Sequence, residues 1–434
     1  MLKILHTAAV IVSMAGLTPW CAFARQGEDS TFTVREIVIR GNERTKEFVI
    51  RREMMVREGD TLNVRRLERD KERIYNLGLF NKVDVDFTTE GTQATVAVTV
   101  YERWYIFPFP VFGIRYRDPS KLFYGAGITD QNFRGRNEKV FFSFAVGYDR
   151  WVSLSYQNPK LTDDDDIFFR GQVSYQHLHN LNVENGEYEQ RHTLSGFSLG
   201  KRFGLYQTLV GNLSYEVWQI SDHQSGRTAS SDGRDAFFST SLHYSFDDRN
   251  LREYATEGNF VSLGVDKEGF GESQINLLRY SFDLRGYTPV FDEISAAGRI
   301  FGTLTGGGVV PSYRHVYYGY NERLRGYFKE VLEAEEITGG NFELRIPLLL
   351  PRYYKAEFIP VPQFNVLRYG LYFGIFADAG KIWYRTQPFE NVPLRSGYGA
   401  GIHFLLPYGL TIRTEYALND QGRREFFVDF GASF

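Results

Sequence analysis

At 434 residues the chain is long enough for two domains, and its formal net charge of -3 offers no basic excess that would point to nucleic acid or anionic lipid. Aromatic residues make up 16% of it, with 28 Tyr and 37 Phe, more than a soluble enzyme needs and in line with the interfacial girdles of a membrane barrel. Residues 1–24, MLKILHTAAVIVSMAGLTPWCAFA, read as a signal peptide: Lys3 is the positive start, Ala8 to Leu17 the short apolar core, and Ala22-Phe23-Ala24 the cleavage site. The apolar run is too short for a membrane anchor, and bulky Trp20 before Cys21 argues against lipoprotein processing. Cys21 is the only cysteine, so the chain beyond the leader has no thiol, disulfide or cysteine metal site.

Residues 31–102 read as a small α/β domain. Val34 to Ile39 form a β-rich run that ends at the turn pair Gly41-Asn42. Thr45 is placed to cap a helix reaching about Met55. A second helix is predicted from Asn63, with Val64, Leu67 and Ile74 on one face and Gly78 as its stop. Val83, Val85 and Phe87, then Val96, Val98 and Val100, alternate with polar or small residues as strands do. The predicted order is β-α-α-β-β. With "VREIVIRGNERT" and "IYNLGLFNKVDVDF", it resembles a POTRA domain, the periplasmic module of outer-membrane assembly and secretion proteins. That resemblance implies binding of extended segments by strand addition at an exposed edge.

From residue 104 to 434 alternation dominates. Val140, Phe142, Phe144 and Val146 share one face, with Phe141, Ser143, Ala145 and Gly147 on the other; Val152, Leu154 and Tyr156 oppose Ser153, Ser155 and Gln157. Large apolar residues toward lipid and small or polar ones toward the lumen are the code of a transmembrane β-barrel, whose mean hydropathy stays that of a soluble protein. About sixteen such segments are present, and strands of about 9–11 residues suffice to cross. The fold class expected is therefore mainly β, a 16-stranded antiparallel transmembrane β-barrel behind one small domain. In the last segment Phe426, Val428, Phe430, Ala432 and Phe434 share one face. Phe430 and Phe434 resemble the C-terminal signal that barrel substrates present to the assembly machinery. Pro108 and Pro110 fall where the first barrel strand starts. Within that strand they would strip N–H donors from one edge and weaken a seam with the last strand; the alternative is that both lie in the linker before it.

One long connection, about residues 308–336, falls between the eleventh and twelfth strands and contains Arg323-Leu324-Arg325-Gly326-Tyr327-Phe328. Strand parity places Glu343 and Arg345 in the lumen on the next strand, and Gly374, Asp378 and Gly380 on the one after. Confined carboxylates need a cation. Arg325 is the natural partner, because its planar fork suits bidentate carboxylate pairing.

This set resembles the BamA/TamA superfamily, also called bacterial surface antigen proteins. In that family a [VI]-R-G-[FY] motif on the sixth extracellular loop docks on the inner barrel wall. Leu324, Arg325, Gly326 and Tyr327 match it, with Leu in the first position, and Phe376, Asp378 and Gly380 match the F-x-D-x-G motif of the receiving strand, beside Glu343. The resemblance implies outer-membrane protein insertion or polypeptide translocation, with the POTRA domain in the periplasm. The partners it implies are unfolded outer-membrane or secreted polypeptides, outer-membrane lipid, and periplasmic chaperones or other assembly subunits, with no nucleic acid. A single POTRA domain departs from the best-known members and leaves the role within the family open. A dedicated two-partner-type secretion pore and a passive porin are the competing readings.

No cofactor, metal or enzymatic site is expected. Gly196-Phe197-Ser198-Leu199-Gly200 matches G-x-S-x-G, but an alternating β segment lacks the strand-turn-helix context of a nucleophile elbow. Asp163 to Asp166 read as a solvated acidic loop, and His177 with His179 as an incomplete metal set. Gly397, Gly399 and Gly401 share a face that would admit a bulky neighbour or the long loop.

Overall fold

The computed structural model describes residues 31–162, 165–181, 186–270, 275–319, 322–328 and 330–434. The leader with Cys21, and Asp163 and Asp164 of the acidic run, lie outside the described residues.

The small domain runs β1 (Thr33–Arg40), α1 (Glu47–Arg51), α2 (Val64–Asn76), β2 (Phe80–Glu90) and β3 (Gln93–Glu102). Its sheet order is β1-β3-β2, with β1 parallel and β2 antiparallel to the central β3. Alternation sends Val96, Val98 and Val100 inward from β3, where they meet Val49 and Ile50 of α1 and Leu67 and Ile74 of α2. Each such aliphatic side chain contributes about 1.5–3 kcal/mol by leaving water. Asn63 caps α2, its side chain accepting the Arg66 N–H at 3.1 Å. Two expectations fail locally. Val64, at the exposed first turn of α2, stays outside the core. Thr45 does not cap α1, which is a short helix with Lys46 at the cap position. The Thr45 hydroxyl instead lies 3.0 Å from the Tyr105 hydroxyl and accepts from Asn132 Nδ2 at 3.0 Å, partners that the local sequence does not supply.

The barrel strands are β4 (Ile106–Ile114), β5 (Leu122–Phe133), β6 (Glu138–Gly147), β7 (Arg150–Asn158), β8 (Ile167–His179), β9 (Glu189–Phe203), β10 (Gln207–Ile220) and β11 (Arg234–Asp247). They continue as β12 (Gly258–Glu268), β13 (Leu277–Phe291) and β14 (Ile294–Gly307). The long connection follows and carries a small hairpin, β15 (Val316–Tyr318) with β16 (Leu332–Ala334). β17 (Glu336–Lys355), β18 (Val366–Trp383), β19 (Arg395–Leu406), β20 (Leu410–Asn419) and β21 (Arg424–Phe430) complete the set. Sixteen strands form one antiparallel sheet in chain order, with β4 and β21 at its two ends. Phe142, Phe144 and Val146 are exposed to the outside while Ser143 and Ala145 are buried inside, the lipid/lumen alternation in physical form. No helix among the described residues is long and apolar enough to cross a membrane.

Pro108 and Pro110 lie within β4, opposite Ile128 and Ala126 of β5, so the linker alternative does not hold. The chain end also departs from expectation. β21 stops at Phe430, Gly431 turns the backbone at φ +88, and Phe434 is buried, not on the lipid face. Phe434 packs against Ala255, Tyr287 and Ala297, and its carbonyl accepts the Tyr287 hydroxyl at 3.1 Å. A left-handed glycine breaks the alternation, and the inner wall offers that ring an aromatic partner and the Arg345 guanidinium at 5.8 Å.

Candidate functional site

The connection between β14 and β17, called loop six below, folds back into the lumen. Arg325 is its anchor, only 4% exposed. Nε and Nη2 grip Asp378 at 2.8 and 2.7 Å, the bidentate fork that carboxylates select, and the Arg325 backbone N–H adds a third bond to Asp378 at 3.1 Å. Nη1 reaches Glu343 at 2.6 Å and Glu415 at 3.3 Å. The guanidinium lies over the Phe376 ring, 3.8 Å from its centroid. β17, β18 and β20 thus each present one carboxylate to a single side chain. Two of the three carboxylates also have further support: Arg345 Nε holds Glu343 at 2.8 Å, and Arg413 Nη1 holds Glu415 at 2.8 Å. In a dry wall this matching is what makes the buried charges tolerable.

The neighbours of Arg325 fit the wall by shape. Leu324 enters an apolar cluster with Phe301, Tyr318 and Ile337. Gly326 has φ +98, and its carbonyl accepts Asn419 Nδ2 at 2.9 Å. The Tyr327 hydroxyl donates to Asp420. A side chain at Gly397 would fall 1.8 Å from the Arg325 carbonyl, so this glycine is where the loop lies down. A Cβ at Gly380 would meet the Tyr318 hydroxyl at 2.0 Å. Phe328 reaches the last strand: its N–H donates to Glu425 at 2.8 Å and its ring stacks on Phe427 at 5.0 Å. Phe430 lies on the lipid face, and Phe434 joins this lumenal neighbourhood through Arg345.

The sequence reading brought Arg325, Glu343 and Asp378 together and missed Glu415. Parity on β20 carried the signal, since Ile412, Thr414 and Tyr416 alternate with Arg413 and Glu415. It also missed a second anchor at the other end of loop six. Arg314 donates from Nε to Glu268 at 2.7 Å and from Nη2 to Glu216 at 2.9 Å. Tyr313 stacks on Trp218 beside it, ring centroids 4.4 Å apart. Between the anchors Glu322 accepts Arg299 Nη1 at 2.8 Å. These loop residues have no periodicity to betray them.

Glu343, His403 and Glu415 bring ligand-type atoms within 4.8 Å of one another. A guanidinium already bonds both carboxylates, and His403 sits between the Tyr254 hydroxyl at 2.9 Å and Glu415 at 3.1 Å, so the set does not fit a cation. His177 pairs with Glu189 and Arg150, and His179 with Asp149. Ser198 lies mid-strand in β9, opposite Asn212 and Arg170, with no helix after it.

The small domain packs against one end of the barrel. Glu53 accepts Arg202 Nη1 and Nη2 at 2.6 and 2.8 Å and Arg73 Nη2 at 2.7 Å, tying the domain to the end of β9. Burial pushes the Glu53 carboxyl up, but Arg202 and Arg73 outweigh it and hold it below the usual carboxylate range. Asn76 Nδ2 reaches the Asn250 carbonyl at 2.9 Å, Asn81 Nδ2 the Gln363 carbonyl at 2.6 Å, and the Lys46 N–H the Gly135 carbonyl at 2.8 Å. One strand end and three barrel connections are gripped in this way.

Comparisons with known proteins agree with this architecture. A family model described as the Omp85 superfamily domain matches residues 132–434, and a POTRA model, described as a surface antigen variable number repeat, matches residues 32–103. The outer membrane protein assembly factor BamA of Neorickettsia risticii (strain Illinois) is 26% identical over 434 aligned residues, covering 92% of this chain and 54% of that protein. The protein of the same name from Nitratidesulfovibrio vulgaris is 22% identical over 331 residues, covering 71% of this chain and 39% of that one. The chain therefore spans about half the length or less of these curated relatives. Among solved structures, BamA from Haemophilus ducreyi lacking POTRA domains 1-3 superposes with a TM-score of 0.55 at 20% identity, covering 92% of this chain and 84% of that one. CdiB from Escherichia coli superposes with a TM-score of 0.59 at 11% identity, covering 92% and 75%. At such identities these two likenesses speak for the fold alone.

Proposed function

This chain belongs to the Omp85 superfamily, and from that premise we propose that it inserts or translocates polypeptides at the bacterial outer membrane, with its POTRA domain in the periplasm. The observation that carries the reading is the state of the lumen. Loop six crosses it, clamped by Arg325 on one wall and Arg314 on another, and the POTRA domain is bound to one end of the barrel. A passive solute pore has no use for either. The curated relatives are named as outer-membrane protein assembly factors, which fits the same role. The POTRA domain receives extended segments by strand addition, and the barrel passes or templates them. The work is strand exchange and local bilayer disturbance, so no covalent step is required.

Depleting the protein and measuring outer-membrane protein levels tests the reading. A general fall supports assembly, and loss of one secreted product supports dedicated export. A change in solute permeability alone overturns both in favour of a porin.

A further inference from the structure

β17 and β18 run on past both of their neighbours in the sheet. The ladder between β14 and β17 reaches only Ser295 opposite Arg345, and that between β18 and β19 only Gly370 opposite Leu405. β17 and β18 stay paired with each other as far as Lys355 opposite Val366. Residues 350–369 therefore leave the sheet as a two-stranded hairpin. Such a hairpin is marginally stable alone in water, so each of its faces needs cover.

The inner face is covered by the POTRA domain. Tyr353 and Arg368 stand opposite each other on it. Lys82 Nζ lies 5.6 Å from the centroid of the Tyr353 ring, and the Arg368 guanidinium 5.3 Å from that of Tyr75. Arg368 also pairs with Glu253, and the Gln363 carbonyl accepts Asn81 Nδ2 at 2.6 Å.

The outer face has no such cover. Alternation places Leu367 and Tyr369 on it, in line with Leu371, Phe373 and Ile375, the lipid-facing row of the same strand. Tyr354 stands opposite Leu367 and is exposed. At the tip Phe358 is 77% exposed, as much as Phe112 on the lipid face of β4. Pro360 and Pro362 follow it; they stiffen the tip and cannot donate to a ladder.

The hairpin also stays at the rim of the barrel. Phe364, in its connection, stacks on Trp104 with centroids 6.2 Å apart and meets Tyr408 edge-on at 5.9 Å. Trp104 stands just before β4, and Tyr408 in the turn between β19 and β20. Tyrosine and tryptophan at a barrel rim suit the headgroup region, where the ring is buried and its polar end stays wet. Arg352 and Lys355 beside them are exposed and form no ion pair among the described residues, so both are free to meet lipid phosphates.

We propose that the outer face of this hairpin, with Phe358 at its tip, is seated in the headgroup region of the periplasmic leaflet while its inner face holds the POTRA domain. The assignment to that leaflet rests on the outer-membrane reading above. Continuity with the lipid-facing row of β18 is what selects lipid over a protein partner.

A nitroxide at the tip tests this. Phe358→Cys, in a chain whose single cysteine is removed by Cys21→Ser, is spin-labelled and placed in vesicles of phosphatidylethanolamine and phosphatidylglycerol, folding being checked by heat-modifiable migration. Collision with oxygen, which concentrates in lipid, is compared with collision with a water-soluble nickel chelate. The same label at Phe112 gives the lipid standard, and at Phe87, exposed on the POTRA domain, the water standard. The oxygen-to-nickel ratio at 358 is expected to lie close to that at 112 and severalfold above that at 87, and Tyr354→Cys on the same face is expected to follow it. A ratio near that of 87 at either position overturns the proposal. So does a label that neither reagent reaches, because protein then covers the face. No client enters this measurement, so it can fail while the depletion experiment upholds the functional reading, or succeed while that experiment points to a porin.

Discussion

Arg325 is bonded to Asp378 twice through its fork and once through its backbone, and Asp378 is buried in the barrel wall. Removing the guanidinium leaves that carboxylate uncompensated, which costs about 3–5 kcal/mol where it cannot relax. Arg325→Ala should therefore lower the temperature at which the barrel loses heat-modifiable migration and expose loop six to protease. Arg325→Lys should restore little of it, because an ammonium cannot make the bidentate pair. Unchanged melting and protease resistance would remove Arg325 from the clamp. A second residue-scale effect lies outside the membrane. Asp70 of the POTRA domain is fully buried, and burial lifts its carboxyl to about 6 although the Met55 and Val56 N–H groups favour the charge. A folded-state value above the unfolded one means the folded domain binds the proton more tightly. Its stability contribution is therefore full below about 4 and declines as pH rises through about 6. Asp70→Asn should flatten that slope in urea melts of the full chain between pH 4 and 7; a slope that persists would assign it to another group.

At the scale of elements, loop six depends on a wall made flat enough to receive it. Gly397 in β19 lets the Arg325 backbone approach, and a methyl group there would lie 1.8 Å from the carbonyl. Gly397→Ala should release the loop as Arg325→Ala does, though every charge of the network remains. Gly211→Ala in β10, where the nearest atom is 3.9 Å away, should leave loop protection intact. Equal protease patterns for the two variants would show that the close approach is not needed. The same element logic explains the chain end: alternation ran on paper to Phe434, but a strand ends where a left-handed glycine takes the backbone out of the ladder.

At the scale of the molecule, the POTRA domain and the barrel meet through Glu53, shared between Arg73 and Arg202. Its depressed carboxyl keeps this contact charged at neutral pH, and the contact should loosen only as pH falls through that lowered value. Glu53→Ala should broaden the distance distribution between a spin label on exposed Phe87 and one on the barrel, read by pulsed EPR. An unchanged distribution would mean that the Asn76, Asn81 and Lys46 contacts suffice. The sequence by itself determined the two-part architecture, the sixteen strands, the position of loop six after the eleventh, and which face of β17 and β18 carries Glu343 and Asp378. Those properties are periodic: a period of two assigns every side chain of a strand to lipid or lumen once one is placed. Only the tertiary structure decided that Glu415 completes the Arg325 site, that Arg314 and Glu322 hold the rest of the loop, and that Phe434 turns inward. Loops carry no period, and the curled sheet brings together residues from β10, β12, β17, β18 and β20 at distances that their spacing along the chain does not encode. The two prolines show both sides: their types were legible at once, but only the structure decided that both lie inside β4, opposite Ile128 and Ala126.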